Sequence, residues 1–421
     1  MTSTIALVVF VVAYALFFMC PTWRSVIASL AAVVLLATGC LTGAQAFWAV
    51  NWNVMGIFVG TLMLAQAFID SRAPAYLAEV IVNKAPNTAW ALLFICLLTS
   101  VLSAFVENVA TVLIVAPIAL TLARKLKILP VGMMIGIAIC SNLQGTATLI
   151  GDPPSMLLGG YAKMTFTDFF FYKGKPSVFF AVELGALVSF FVLYAVFRKH
   201  KTRHEAVEVE DVKSWTPTIM LVSLILALAG SSFFDKDFSY AAGIICMVFG
   251  IAALMWQTTA MQGKLWETVK SLDWDTTVFL LAIFMIVGSL EKNGWTDAIA
   301  EWLAHHVGSD VFLAYTMIVF VSVIVSAFVD NVPFLAAMLP VAQKLAEVVN
   351  APAELFMFGL LIGASLGGNV TPIGASANIV ATGLLRKEGH PASLAQWLKI
   401  AIPFTIAAVL PAYAFIWYIW S

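Results

Sequence analysis

Residues 103–117 read SAFVENVATVLIVAP, and residues 326–340 read SAFVDNVPFLAAMLP. At a shift of 223 the two share seven identities in fifteen, and each sets an acid and an amide into an apolar run: Glu107 with Asn108, and Asp330 with Asn331. The same shift lays SNLQGTATLIGDPPSMLLGG, from Ser141, on ASLGGNVTPIGASANIVATG, from Ala364. It pairs Gly145 with Gly368, Thr148 with Thr371, Ile150 with Ile373 and Gly151 with Gly374. A constant offset across two separate motifs marks a duplicated chain.

The medium follows from composition. The chain is 62% apolar and 11% charged over 421 residues, against roughly 45–50% and about 25% in soluble domains. Ten apolar runs can cross about 30 Å of hydrocarbon as helices: 3–19, 24–42, 52–70, 131–164, 176–198, 216–233, 238–256, 274–291, 353–386 and 398–420. Two further stretches, 88–123 and 311–346, are broken at the acid–amide pairs and read as re-entrant hairpins. Residues 3–19 follow no basic leader and read as a retained span rather than a signal peptide. The predicted fold is an all-α membrane protein of about ten transmembrane helices in two repeats, each with a re-entrant hairpin and a broken helix.

Each repeat holds five spans and one hairpin, and an odd count of crossings inverts the second copy relative to the first. The first repeat is residues 1–198, the second 216–421, and the polar run at 199–215 reads as a cytoplasmic linker. One face collects 16 of the 22 lysines and arginines. That face is cytoplasmic by the positive-inside rule, which puts both termini outside. The cell (inner) membrane is the expected location. Five scattered cysteines without CxxC spacing argue against a disulfide framework or a zinc site and suit core packing. No basic, aromatic cluster points to nucleic acid.

Backbone that leaves helical geometry at membrane depth must be buried in protein or line an aqueous cavity. Here four breaks fall in matched pairs: the two hairpin tips, Gln144–Pro154, and Gly367–Asn378. Asp152 before Pro153 and Pro154 reads as a helix N-cap, with Ser376 as its counterpart. Such breaks put helix ends of both signs at the midplane, the arrangement secondary transporters use. The candidate binding residues are Glu107, Asn108, Gly145, Thr146, Thr148, Gly151, Asp152, Asp330, Asn331, Gly368, Asn369, Thr371, Gly374, Ser376 and Asn378. A carboxylate at the helix centre costs about 2.5–3.5 kcal/mol on insertion scales, so Glu107, Asp152 and Asp330 are expected to pair, bind a cation or take up a proton. The bland alternatives are hairpin-holding hydrogen bonds for the acids and close helix packing for the glycines. Glu183, without a repeat mate, reads as structural; His305, His306 and the tryptophans read as interfacial anchors.

At SAFVENVATVLIVAP, GTATLIGDPPSM, SAFVDNVPFLAAMLP and LGGNVTPIGASANIV the chain resembles the ion transporter superfamily. Within it the chain looks most like the branch that holds the P protein and ArsB-type arsenite permeases. The resemblance implies an elevator-type secondary transporter, often dimeric, with a transport domain at about 88–165 and 311–387 and the remainder as scaffold. It implies a small oxyanion or neutral oxyacid such as arsenite or antimonite, exchanged for protons, and no enzymatic activity. The expected partners are that solute, a coupling ion, the lipid bilayer and, as for some arsenite permeases, a cytoplasmic ATPase. No cofactor is expected beyond H⁺ or Na⁺, the sodium being at the same site. A sodium/proton antiporter is the alternative; a sodium-coupled carboxylate transporter and an intramembrane aspartyl protease stand behind it. Where the dicarboxylate and citrate branch carries Ser-Asn-Thr at the tips, this chain has Glu107-Asn108-Val109 and Asp330-Asn331-Val332, which places acids where an anion would have to sit.

Overall fold

In a computed structural model, the structure describes residues 2–126, 128–200, 209, 211–261, 265–307 and 310–421. The expected linker at 199–215 lies mostly outside the described residues. Those residues form twenty α-helices, two short 3₁₀ turns and one two-stranded ribbon, Phe171–Tyr172 with Lys175–Pro176. Seven helices have both the length and the apolarity to cross a bilayer.

Nine of the ten expected spans keep nearly their full length, although two of them are broken. The second is the exception: its helix, Arg24–Ala37, is 14 residues long and stops well short of residue 42. Gly39, at φ 73°, turns the chain in the left-handed region, and 14 residues rise only about 21 Å.

Both hairpins form where the acid–amide pairs interrupt the apolar runs. The first has arms Thr88–Ser103 and Asn108–Leu126, the second Val311–Ser326 and Asn331–Val348. The broken spans are Val131–Gly145 with Pro153–Ala162, and Ala353–Gly367 with Ser376–Lys387. The duplication reaches well beyond the motifs. Trp52–Asp70 and Trp274–Lys292 start one residue away from the motif register, and each is capped alike: Asn51 accepts from Val54 N, and Asp273 accepts from Thr276 N.

Helix contacts come in matched pairs. Trp52–Asp70 lies on Ala241–Thr259, as Trp274–Lys292 lies on Arg24–Ala37. Each hairpin's first arm packs on its own broken span, while each helix after a break packs on the other half's hairpin. Pro153–Ala162 thus meets Asn331–Val348, and Ser376–Lys387 meets Asn108–Leu126. This cross-packing interlocks the two halves at the breaks. Val178–Phe197 and Leu394–Trp420, themselves repeat mates, pack on each other and against the broken spans.

Candidate functional site

Each hairpin tip is built by its acid. Glu107 Oε2 accepts from Ala110 N at 2.8 Å, and Asp330 Oδ1 accepts from Val332 N at 3.0 Å. Both side chains therefore satisfy free N–H groups at the start of the second hairpin arm, where negative charge is also favoured by the helix dipole.

Asp152 behaves differently. It occupies the N-cap position with extended backbone, yet its side chain makes no capping bond. The prolines explain this: Pro153 and Pro154 carry no N–H, and the first one available, on Ser155, donates to the Asp152 carbonyl at 3.0 Å. The sequence expectation of a side-chain cap is corrected, and the carboxylate is left with a buried Oδ2 that has no partner. Ser376 is corrected too. The N-cap is Ala375, and Ser376 Oγ instead accepts from Arg24 Nη1 at 2.7 Å and faces Asp330 Oδ2 at 3.4 Å.

Between the tips and breaks runs a chain of buried amides. Asn108 Nδ2 donates to Asn142 Oδ1 at 3.1 Å, and Asn142 Nδ2 donates to Asn369 Oδ1 at 2.9 Å and Asn378 Oδ1 at 2.8 Å. Asn378 Nδ2 in turn donates to Gly368 O and Thr371 O, both at 2.8 Å. Its repeat mate Ser155 donates to Gly145 O, the match of Gly368 O, at 3.3 Å and to Thr146 O at 3.2 Å. Trp397, fully buried, donates Nε1 to Asn369 O at 3.0 Å. Four buried polar atoms in these segments have no partner: Asp152 Oδ2, Asn331 Nδ2, Asn369 Nδ2 and Ser365 Oγ. Unsatisfied buried polar atoms are uncommon in folded proteins, and each of these four is open to a polar ligand.

Other expected site residues serve the backbone. Thr148 Oγ1 donates to Ala104 O and Thr371 Oγ1 to Ala327 O, tying each break to its hairpin. Thr146 Oγ1 donates to Asn142 O at 3.0 Å. Ser103 Oγ reaches Ser141 O at 2.8 Å, as Ser326 Oγ reaches Ala364 O at 2.5 Å. The glycines allow close approach: a Cβ on Gly151 would lie 2.5 Å from Gly145 O and 2.7 Å from Ser103 O, and one on Gly374 would lie 2.6 Å from Gly368 O and 2.9 Å from Ser326 O.

Sequence reasoning missed Arg24. Its Nη1 donates to Asp330 Oδ2 at 2.6 Å, its Nη2 to Thr276 Oγ1 at 2.9 Å, and its Nε faces Asp275 Oδ2 at 3.5 Å. A cavity of about 210 Å³ opens here, lined by Arg24, Val109, Asp273, Asp275, Asp330 and Ser376 among others. Val109 comes from the first tip and Asp330 from the second, so the two tips meet at one cavity. The charges of Glu107 and Asp330 both act on Asp152, and those of Arg24 and Asp273 act on Glu107. Asn142 and Ser155 were also missed; the shift of 223 that pairs Ser155 with Asn378 was the signal available for the latter. Among the described residues no group of three His, Cys, Asp or Glu side chains could hold a metal ion.

A family model described as citrate transporter, CitMHS, matches residues 14–363 and 244–421. The chain belongs to this family. An uncharacterized transporter of Mycobacterium tuberculosis (strain ATCC 25618 / H37Rv) is 26% identical over 99% of this chain and 98% of its own. The P protein of Homo sapiens is 24% identical over 85% of this chain, which spans only 52% of the human protein. Among solved structures, the YdaH transporter of Alcanivorax borkumensis superposes with a TM-score of 0.61 at 12% identity, covering 91% of this chain and 87% of that one. MtrF of Neisseria gonorrhoeae superposes with a TM-score of 0.54 at 12% identity, covering 91% and 83%. Family and relatives are transporters, and with its apolar helices this is an integral, multi-pass membrane protein.

Proposed function

We propose that the protein is a secondary active transporter that exports a small neutral or singly charged oxyacid of the arsenite or antimonite type in exchange for protons. One observation carries this reading. The buried polar residues of the tips and breaks are amides and hydroxyls with a single unpartnered carboxylate oxygen, Asp152 Oδ2, and with Asn331 Nδ2, Asn369 Nδ2 and Ser365 Oγ as open donors. A hydroxyl-bearing solute both donates and accepts, and so can satisfy that set.

Charge argues against larger anions. Glu107 and Asp330 both lie within electrostatic reach of Asp152, and the nearby Arg24 is engaged by Asp330 and Asp275. A citrate-like trianion would meet repulsion unless the carboxylates were first neutralised. A bare sodium ion is also less suited, since the break carbonyls at Gly145, Thr146, Gly368 and Thr371 already face Ser155 or Asn378.

Movement is of the elevator type in this reading. The mobile unit holds both hairpins and both broken spans, and the packing of Val178–Phe197 and Leu394–Trp420 against the broken spans favours including that pair. The remaining spans stay fixed, in the cell membrane with both termini outside. The test uses proteoliposomes with an internal pH dye and arsenite, citrate and sodium gradients applied one at a time. Proton movement driven by arsenite supports the proposal. Movement driven only by sodium makes the protein an antiporter of cations, and movement driven only by citrate assigns it the activity named in its family's description.

A further inference from the structure

Arg24 stands astride the boundary between the two groups of helices. Its contacts to Asp330 and Ser376 reach the second hairpin tip and the second break. Its contacts to Asp275 and Thr276 reach the start of Trp274–Lys292, against which its own helix packs, and its guanidinium lies 5.2 Å from the Phe279 ring centroid. One cation therefore ties a fixed pair of helices to the tip of a mobile hairpin.

A sliding unit cannot keep both sets of contacts. A displacement of one helical turn, about 5.4 Å, takes Asp330 out of hydrogen-bond range. Arg24 would keep Asp275 and Thr276, which stay on its side of the boundary. Asp330 would keep Val332 N and Ser376 Oγ, neither of which carries charge. A half-buried carboxylate at membrane depth that loses its cation is disfavoured in its charged form until something positive replaces it.

We propose that Asp330 is the residue through which motion is coupled to protons, with Arg24 and a proton as its alternative partners. This rests on the exchange reading above. Docked against Arg24, Asp330 is ionised; away from it, Asp330 Oδ2 carries one proton taken from the water on the opposite side. Return of the unit lets Arg24 displace that proton, which leaves through the 210 Å³ cavity at the same place. Arg24 begins its span on the face that carries the linker, cytoplasmic by its lysines and arginines. The proton therefore moves inward as the solute moves outward.

Other charged groups face this tip. Asp273 and Asp275 stand at the fixed helix, Glu107 on the first tip and Asp152 at the first break, and the Tyr14 hydroxyl donates to Pro333 O at 2.5 Å. Among the described residues, Arg24 is the cation of the ion pairs formed there.

The experiment measures position without any solute. Spin labels are placed at Thr259, on a fixed helix, and at Lys125, on the mobile unit, in the full-length protein in lipid nanodiscs, and their distance distribution is recorded from about pH 7 to about pH 3, across the ordinary carboxylate range. The wild type is expected to lose the docked distance on acidification, its population falling by about tenfold or more. Asp330→Asn is expected to sit in the undocked distribution at both ends of the range, and Arg24→Gln to lose the pH response. Asp237→Asn, at an exposed acid just before Ala241–Thr259, is expected to respond as the wild type does. A wild-type distribution that ignores pH, or a full response in Asp330→Asn, would overturn the proposal. Arsenite flux by the wild type, measured separately, reports on the transport reading alone, so the two can fail independently.

Discussion

The two halves of the molecule share a skeleton and differ in charge. Thr148 and Thr371 tie the breaks to the hairpins in the same way, Ser103 and Ser326 reach the same carbonyl, and Gly151 and Gly374 admit the same close contacts. The chemistry diverges at the matched positions beside them. Asp152 faces Ala375 across the repeat, Asn142 faces Ser365, and of the two acidic tips only Asp330 has Arg24 within hydrogen-bond range. The comparison teaches that duplication supplied the broken backbone twice, while the charged groups were placed once each. An inverted pair needs matching halves to present the site alternately to two faces; binding and coupling need only one set of groups.

The largest expected effect tests the skeleton. Gly151→Ala and Gly374→Ala each drive a methyl into a carbonyl, and overpacking of that kind costs about 1–3 kcal/mol or more. Both variants are expected to lose monodisperse protein on size exclusion, to a similar degree. A tolerated change on one side only would break the symmetry of the skeleton.

Next comes the site. Asp152→Asn, Asn108→Ala and Asn331→Ala are expected to reduce coupled flux to background while the protein inserts normally, with melting temperatures within about 2–4 °C of wild type. Three variants with undiminished flux would remove the cluster from the mechanism. By contrast, Ala375→Ser, at the mate of Asp152, is expected to keep flux, because the second break carries no coupling carboxylate there.

Smaller changes follow for the ties. Thr148→Val and Thr371→Val each leave a buried carbonyl unpaired, a cost of about 1–3 kcal/mol, which should appear as equal falls in thermal stability with flux retained. Unequal falls would show that one hairpin is held by other means. Smallest of all, Asp275→Asn removes a half-exposed carboxylate from Arg24 and is expected to leave stability within about 1 kcal/mol, as for exposed ion pairs.

Much of the fold was legible because hydrophobic length and a constant shift are local properties. The hairpin arms restart at Asn108 and Asn331, beside the acids that interrupt the apolar runs, and the second parts of the broken spans begin at Pro153 and Ser376. The site was legible only in outline. The polar residues of the breaks could be named, but Thr148 and Thr371 turn toward backbone, and nothing in the sequence separates a threonine that binds solute from one that holds a loop. Arg24 could be counted as a charge on one face, yet its partners lie 251 to 352 positions away in the chain. Asp152 resembled a cap because position decides capping in sequence; two prolines removed the donors it would have bonded.

The central claim is that two inverted copies converge on one buried polar site between their tips and breaks. It is tested most directly by a cryo-electron microscopy map of the protein in nanodiscs with antimonite, whose heavy atom is easily seen. A single density is expected within hydrogen-bond reach of Asp152 Oδ2, Asn331 Nδ2 and Asn369 Nδ2. Density bound elsewhere, with those three atoms bonded to protein neighbours, would contradict it.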